Sequence, residues 1–190
     1  MGRVKGSAIR AVVDWYVAGG AAVEQLYSDV REGIRAQLVL GRPYLGILPS
    51  SWYDDSVIHA MCDAFVGSMS KTIAHSSAAA GGRAAIHTAM SGVHRAMFRV
   101  FVSPALYAAH SQRLWNGYYD NGVYAVREVA PREHEVAIAR WSSHHPLLCA
   151  SLRGSTTVIY ESMGCRAVRV DRSACVSNAD PACRLEVRWA

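Results

Sequence analysis

Three of the five cysteines, Cys149, Cys175 and Cys183, lie in the last third of the chain at intervals of 26 and 8 residues. Three kinds of chemistry suit that spacing. Thiolates are strong donors to Zn²⁺. A cross-hairpin disulfide between Cys175 and Cys183 is geometrically feasible under oxidising conditions. Cysteine is also among the most buried residue types, so the three thiols could be plain core. Residue types alone leave all three readings open. Cys62 sits beside Met61 in a helical pattern and reads as core, while Cys165 follows the helix-ending Gly164.

The eight histidines give no local metal motif. His59, His87, His94 and His110 fall in helical stretches without an HExxH or HxxxH pair. His144 and His145 precede Pro146 at a strand-to-helix loop and read as loop and helix-start residues. No GxSxG elbow occurs, and "AAAGGRAA" lacks the spacing of a phosphate-binding loop. Asp54 and Asp55 read as helix first-turn carboxylates. A non-catalytic protein is therefore expected.

The aromatic run "LWNGYYDNGVY" places Trp115, Tyr118, Tyr119 and Tyr124 at a helix-to-sheet junction, and Trp141 ends a strand further on. Aromatic bodies with a few polar tips suit a pocket for a small apolar ligand. Trp115, Tyr118, Tyr119, Trp141 and His110 are the pocket candidates. The same rings would equally serve a core junction or a dimer surface.

Positioning these residues falls to one domain, since 190 residues bury a sizeable core without disulfides. A charged fraction of 18% against 51% hydrophobic excludes disorder. The net charge of +5 comes from scattered arginines, without the clustered basic patch of a nucleic-acid footprint. No run approaches the roughly 18 apolar residues of a membrane span. The start of the chain shows no secretory pattern and the cysteine count is odd, so a reducing cytoplasm is expected.

Residues 1–120 read as helical. Ile9, Val12, Val13 and Tyr16 share one face, and 21–40 reads as one helix ending before Gly41. Ser50 or Ser51 is expected to cap a helix whose apolar face is Val57, Ile58, Met61, Phe65 and Met69. The small-residue run from His75 to Met90 is a flexible break or a close-packed helix start near Ala84. A stripe of Val93, Met97, Val100 and Phe101 follows, then a helix from Pro104 to about Trp115. After Gly122 the period changes. "VYAVREVA" and "HEVAIARW" alternate as strands, a helix runs from Pro146 to Gly164, and "RAVRVDRSAC" and "CRLEVRW" form a second strand pair. The order predicts an α+β domain over 1–190, with a helical layer (1–120) on a four-stranded, mostly antiparallel sheet with a crossover helix (121–190).

The C-terminal half resembles the V4R (4-vinyl reductase) domain family of small-molecule sensors, which is related in fold to the haem nitric-oxide/oxygen binding domains and to Bet3-type trafficking subunits. Cys149 after "HPLL", Gly154 and the ending "ACVSNADPACRLEVRW" carry that resemblance. The whole chain, through "VKGSAIRAVVDWYV" and "ILPSSWYDDSVIHAMCDAF", is similar to a paralogous family of myxobacterial proteins of about this length.

The resemblance to phenol-sensing V4R activators implies a zinc site in which Cys149, Cys175 and Cys183 are ligands. Their fourth ligand is a Glu three residues before the middle Cys, and here that position is Arg172. Asp171 would need a strand bulge to replace it, which leaves His144, His145 or Cys165. The haem-binding cousins use a helical proximal His and a Tyr-x-Ser-x-Arg clamp. "YESMG" keeps Tyr160 and Ser162 but puts Gly164 where the Arg belongs, so the propionate partner is missing and haem is not expected. His94 or His110 would be the axial candidates.

Together these features predict a cytoplasmic sensory or adaptor domain. It would bind a small apolar ligand and signal through a partner protein, as a homodimer and without nucleic acid. A ligand-free dimeric module of Bet3 type and a haem-based gas sensor are the alternatives.

Overall fold

The computed structural model describes residues 2–91 and 103–190. The stripe of Val93, Met97, Val100 and Phe101, and His94, lie outside them.

The chain opens with β1 (Arg3–Lys5), which pairs antiparallel with β2 (Trp52–Asp54) and buries Val4. Helix α1 (Gly6–Ala18) buries Ile9, Val12, Val13 and Tyr16, the face read from the period. The stretch expected to form one helix over 21–40 splits into α2 (Val23–Asp29) and α3 (Glu32–Arg35). Val30 is extended between them and buries its side chain, and the Arg35 guanidinium donates back to the Val30 carbonyl. Tertiary burial of Val30 overrides local helical propensity there.

Helix α4 (Asp55–Ser68) is capped by Asp54, whose carboxylate accepts from the Ser56 amide, rather than by Ser50 or Ser51. Its buried residues include Val57, Ile58, Met61, Phe65 and the fully buried Cys62, whereas Met69 lies just past its end. Helix α5 (Lys71–Ser91) carries the small-residue run through its middle, so that run is neither a break nor a helix start. It packs on α7 (Pro146–Ser162) with backbones in near contact. A Cβ on Gly154 would overlap the Ala79 carbonyl, and one on Gly82 would overlap that of Ser151. Only glycine admits that approach. Helix α6 (Pro104–Trp115) has the predicted bounds, with Ser103 as its N-cap.

The sheet is antiparallel throughout, in the order β3 (Val123–Ala130), β4 (Glu133–Ala139), β6 (Ala182–Arg188), β5 (Arg169–Ala174). The crossover through α7 places β5 at an edge and leaves β6 to pair with β4. Register alternation divides the two faces. His134, Val136 and Ile138 oppose Val187, Leu185 and Cys183 on the inner face. Outside, Arg184 and Arg127 pair with Glu135, and Arg188 with Glu133. Such exposed pairs add little stability individually.

Polar contacts also cross the inner face: Tyr160 Oη and His134 Nδ1 lie 2.6 Å apart, both residues buried, and the Tyr107 and Tyr124 hydroxyls are 2.9 Å apart. Tyr160→Phe would orphan the imidazole and is expected to cost about 1–3 kcal/mol, measurable by urea unfolding. Burial also holds the His134 pKa below its ordinary 6.5. His75 is lowered by burial and nearby cations, and His145 goes down to about 4, chiefly through burial. Each binds its proton more readily unfolded, so stability should fall as pH drops from 6.5 towards 4. Urea midpoints at pH values across that window check it; a flat profile would mean that these imidazoles bind protons equally in the folded and unfolded chain.

Candidate metal centre and ligand cavity

The three C-terminal cysteines converge. Pro146 starts α7, and Cys149 is in its first turn, donating its amide to the His145 carbonyl. Cys183 lies on the inner face of β6. Cys175 follows the end of β5, where a short turn (Val176–Asn178) reverses the chain towards β6. That turn closes through Ala179 in the left-handed region at φ 65° and through the Asp180 carboxylate, which accepts from the Cys175 amide. All three side chains are buried, and Cys175 and Cys183 Sγ are 3.9 Å apart.

A fourth donor joins them. His144 Nε2 is 3.4 Å from Cys175 Sγ, and the four donor atoms of His144, Cys149, Cys175 and Cys183 all lie within 4.8 Å of one another. A tetrahedral zinc with Zn–S near 2.3 Å spaces its sulfurs by about 3.8 Å, so the cluster has the dimensions of such a site. The electrostatics agree. Cys149 is pushed up, chiefly by its hydrogen bond to Cys183 and by burial, while that same bond, with His144 and the Val176 amide, pulls Cys183 down. Four donor side chains this close together can exchange their protons for a cation.

The sequence signal for His144 is its place in "HHPLLC", but the two histidine side chains diverge. His145 caps α7, its Nδ1 accepting from the Leu147 amide, and its Nε2 faces Asp63 at 3.4 Å. The His144 ring instead meets Trp141 edge-on and reaches the thiols. The loop that aims it is anchored by Asp55. This buried carboxylate accepts from the Gly2 amide and from the Ser142 and Ser143 hydroxyls. Asp55 therefore does more than complement a helix dipole. Arg172 is exposed, and β5 is irregular between Arg172 and Ala174; Asp171 and Cys165 stand outside the cluster.

The aromatic residues separate into two sets. Trp115, Tyr119 and Trp141 are buried against one another, with Trp115 stacked on Tyr119 at 4.4 Å and edge-on to Trp141 at 5.0 Å. Tyr118 and His110 instead line a cavity of about 1390 Å³ walled by α1, α5 and α6. Small residues make its room, Ala11, Ala80, Ala84 and Gly81 among them. A Cβ on Gly81 would overlap the Trp15 indole. The volume exceeds that of ordinary small-molecule pockets.

This arrangement of helices, antiparallel sheet and crossover helix matches solved structures over nearly the whole chain. An H-NOX protein from S. oneidensis in the Fe(II)NO ligation state is 11% identical with a TM-score of 0.69, covering 98% of this chain and 99% of that one. The Fe(II) unliganded H-NOX protein from K. algicida gives 8% and 0.70, over 98% and 96%. A Cs H-NOX mutant carrying an unnatural amino acid gives 12% and 0.62, over 97% and 95%. The chain has an H-NOX-like fold. No protein-family model matches it, and a search of curated proteins finds no match. These findings bear out the haem-NO-binding side of the resemblance; the V4R and myxobacterial sides rest on the quoted motifs.

The residues of this H-NOX-like chain do not assemble the haem clamp at Tyr160–Gly164. The Tyr160 hydroxyl is committed to His134, and Gly164 brings no cation. Among the described residues, those lining the cavity include a helical histidine, His110, and Arg113 on the same helix. Among the described residues no helix is long and apolar enough to cross a membrane.

Proposed function

We propose that this chain is a non-catalytic sensor or adaptor domain that takes a small, largely apolar ligand between α1, α5 and α6 and signals through a partner protein. The observation that carries this reading is the large, Ala- and Gly-lined cavity in an H-NOX-like fold. Helix α5 forms one wall of that cavity and also packs backbone-to-backbone on α7, which bears Cys149. A ligand that favours one seating of α5 would shift α7 with it, provided that it binds the two seatings with different affinity.

In this reading His144, Cys149, Cys175 and Cys183 hold a structural zinc. The metal ties the first turn of α7 to the β5–β6 hairpin and fixes the frame against which α5 moves. Native mass spectrometry of the reduced protein, followed by denaturing spectra and metal analysis, is the direct test. One zinc per chain, released by chelator, and a co-purified small molecule are the expected results. An apo mass in zinc-replete buffer would overturn the metal reading.

A haem-based gas sensor is the second reading, favoured by the H-NOX-like fold and by His110 at the cavity wall. Titrating the protein with hemin decides it: a stoichiometric, sharp Soret band lost in His110→Ala supports haem, and only the broad band of non-specific hemin excludes it. A ligand-free dimeric module of Bet3 type would show no co-purified small molecule and no sharp Soret band.

A further inference from the structure

The cavity walls are chemically graded. Lys5 and Tyr118 line the cavity where α1 begins, and Arg113 lines it from the last turn of α6. The Lys5 amide donates to the Tyr118 carbonyl, and the Ser7 amide to that of Pro49, so this end is where α1, the 49–51 loop and the C-terminal end of α6 meet. Trp15, Ala18 and Gly81 line the other end. Trp15 is ten residues from Lys5 along α1, or about 15 Å at the helical rise. Small and apolar residues line much of the length between.

Neither Lys5 nor Arg113 takes part in an ion pair among the described residues. Lys5 Nζ rests 4.6 Å from the centre of the Trp52 ring, which orients its ammonium without cancelling its charge. The lining carboxylate is Asp14, on the exposed side of α1 and about 13 Å from Lys5 along the helix. Negative charge is therefore welcome at one end of the cavity and repelled towards the other.

We infer that the ligand is an elongated amphiphilic monoanion, an alkyl or aryl-alkyl carboxylate. Its head lies at Lys5 and Arg113, and its chain runs along the small-residue groove towards Trp15. This rests on the cavity being the ligand site and specifies its chemistry. The Arg113 guanidinium offers a planar fork to the carboxylate. The small side chains of α5 leave the width of a hydrocarbon chain, and Asp14 selects against a second carboxylate at the tail.

Isothermal titration calorimetry with dodecanoate, dodecanol and dodecanedioate, each below its aggregation concentration, tests this. Dodecanoate is expected to bind about tenfold or more tightly than dodecanol, the scale of one charge-assisted hydrogen bond. Dodecanedioate should bind more weakly than dodecanoate. Arg113→Gln, an exposed substitution whose folding is checked by thermal melting, should remove most of the preference for dodecanoate, leaving the share that Lys5 supplies, while leaving dodecanol unchanged. Equal affinity for acid and alcohol would overturn the head-group assignment and leave the apolar cavity standing. No heat from any of the three would overturn both.

Discussion

Cys175→Ser is expected to lose the bound metal and to lower the melting temperature by roughly 5–10 °C. The serine hydroxyl is a poor zinc donor, and it would leave only Cys149, Cys183 and His144 around the cation. With free zinc a hundredfold above its dissociation constant, binding to the native state alone adds about 2.7 kcal/mol. In a chain of this size each kcal/mol moves the midpoint by about 2–4 °C. Differential scanning calorimetry of both proteins with zinc and with chelator checks it. The original protein should drop on chelation to near the variant, and the variant should not respond. If chelator moves neither protein, the thiols are buried packing.

Gly154→Ala should destabilise by about 3 kcal/mol, although alanine is the better helix former by about 1 kcal/mol. The added methyl would overlap the Ala79 carbonyl oxygen, which belongs to the backbone of α5 and cannot rotate away. The two helices must separate, and that also disturbs Gly82 against Ser151 and the cavity wall formed by α5. The fitting control is Gly33→Ala in α3, where nothing lies within 4 Å of the new atom. Alanine there should be neutral or slightly stabilising through the unfolded state. Urea unfolding of both variants separates the effects. Equal small changes would mean that α5 and α7 are not packed backbone-to-backbone.

The elements are most legible where one local pattern dominates. The α1 and α4 faces, the bounds of α6 and the four C-terminal strands all follow from apolar spacing and turn residues, because burial on one face imposes its period on the sequence. The 21–40 stretch reads as a single helix because Val30 and Ile34 fit a helical period. Only packing shows that Val30 is buried in an extended conformation. The run around Gly81 and Gly82 resembles a break because glycine weakens an isolated helix. Within the fold it lets α5 approach Trp15 and α7.

The same division holds for the functional residues. The sequence alone determined the donor types, with three cysteines placed at a helix start and around a hairpin, and it determined the α+β order that could bring them together. It also determined that no charge cluster or catalytic motif competes with that reading. Which side chain completes the cluster was decided by tertiary structure. His144 and His145 are neighbours with the same chemistry, and only the anchoring of their loop on the buried Asp55 turns one to the thiols and the other to the α7 cap. The location of the cavity was likewise tertiary. Trp115, Tyr119 and Trp141 fill their junction with one another, and the space opens instead where Ala and Gly side chains on two helices are too short to meet. Composition records which residues are small; only the spacing of the helices turns small residues into either contact, as at Gly154, or room, as at Ala84.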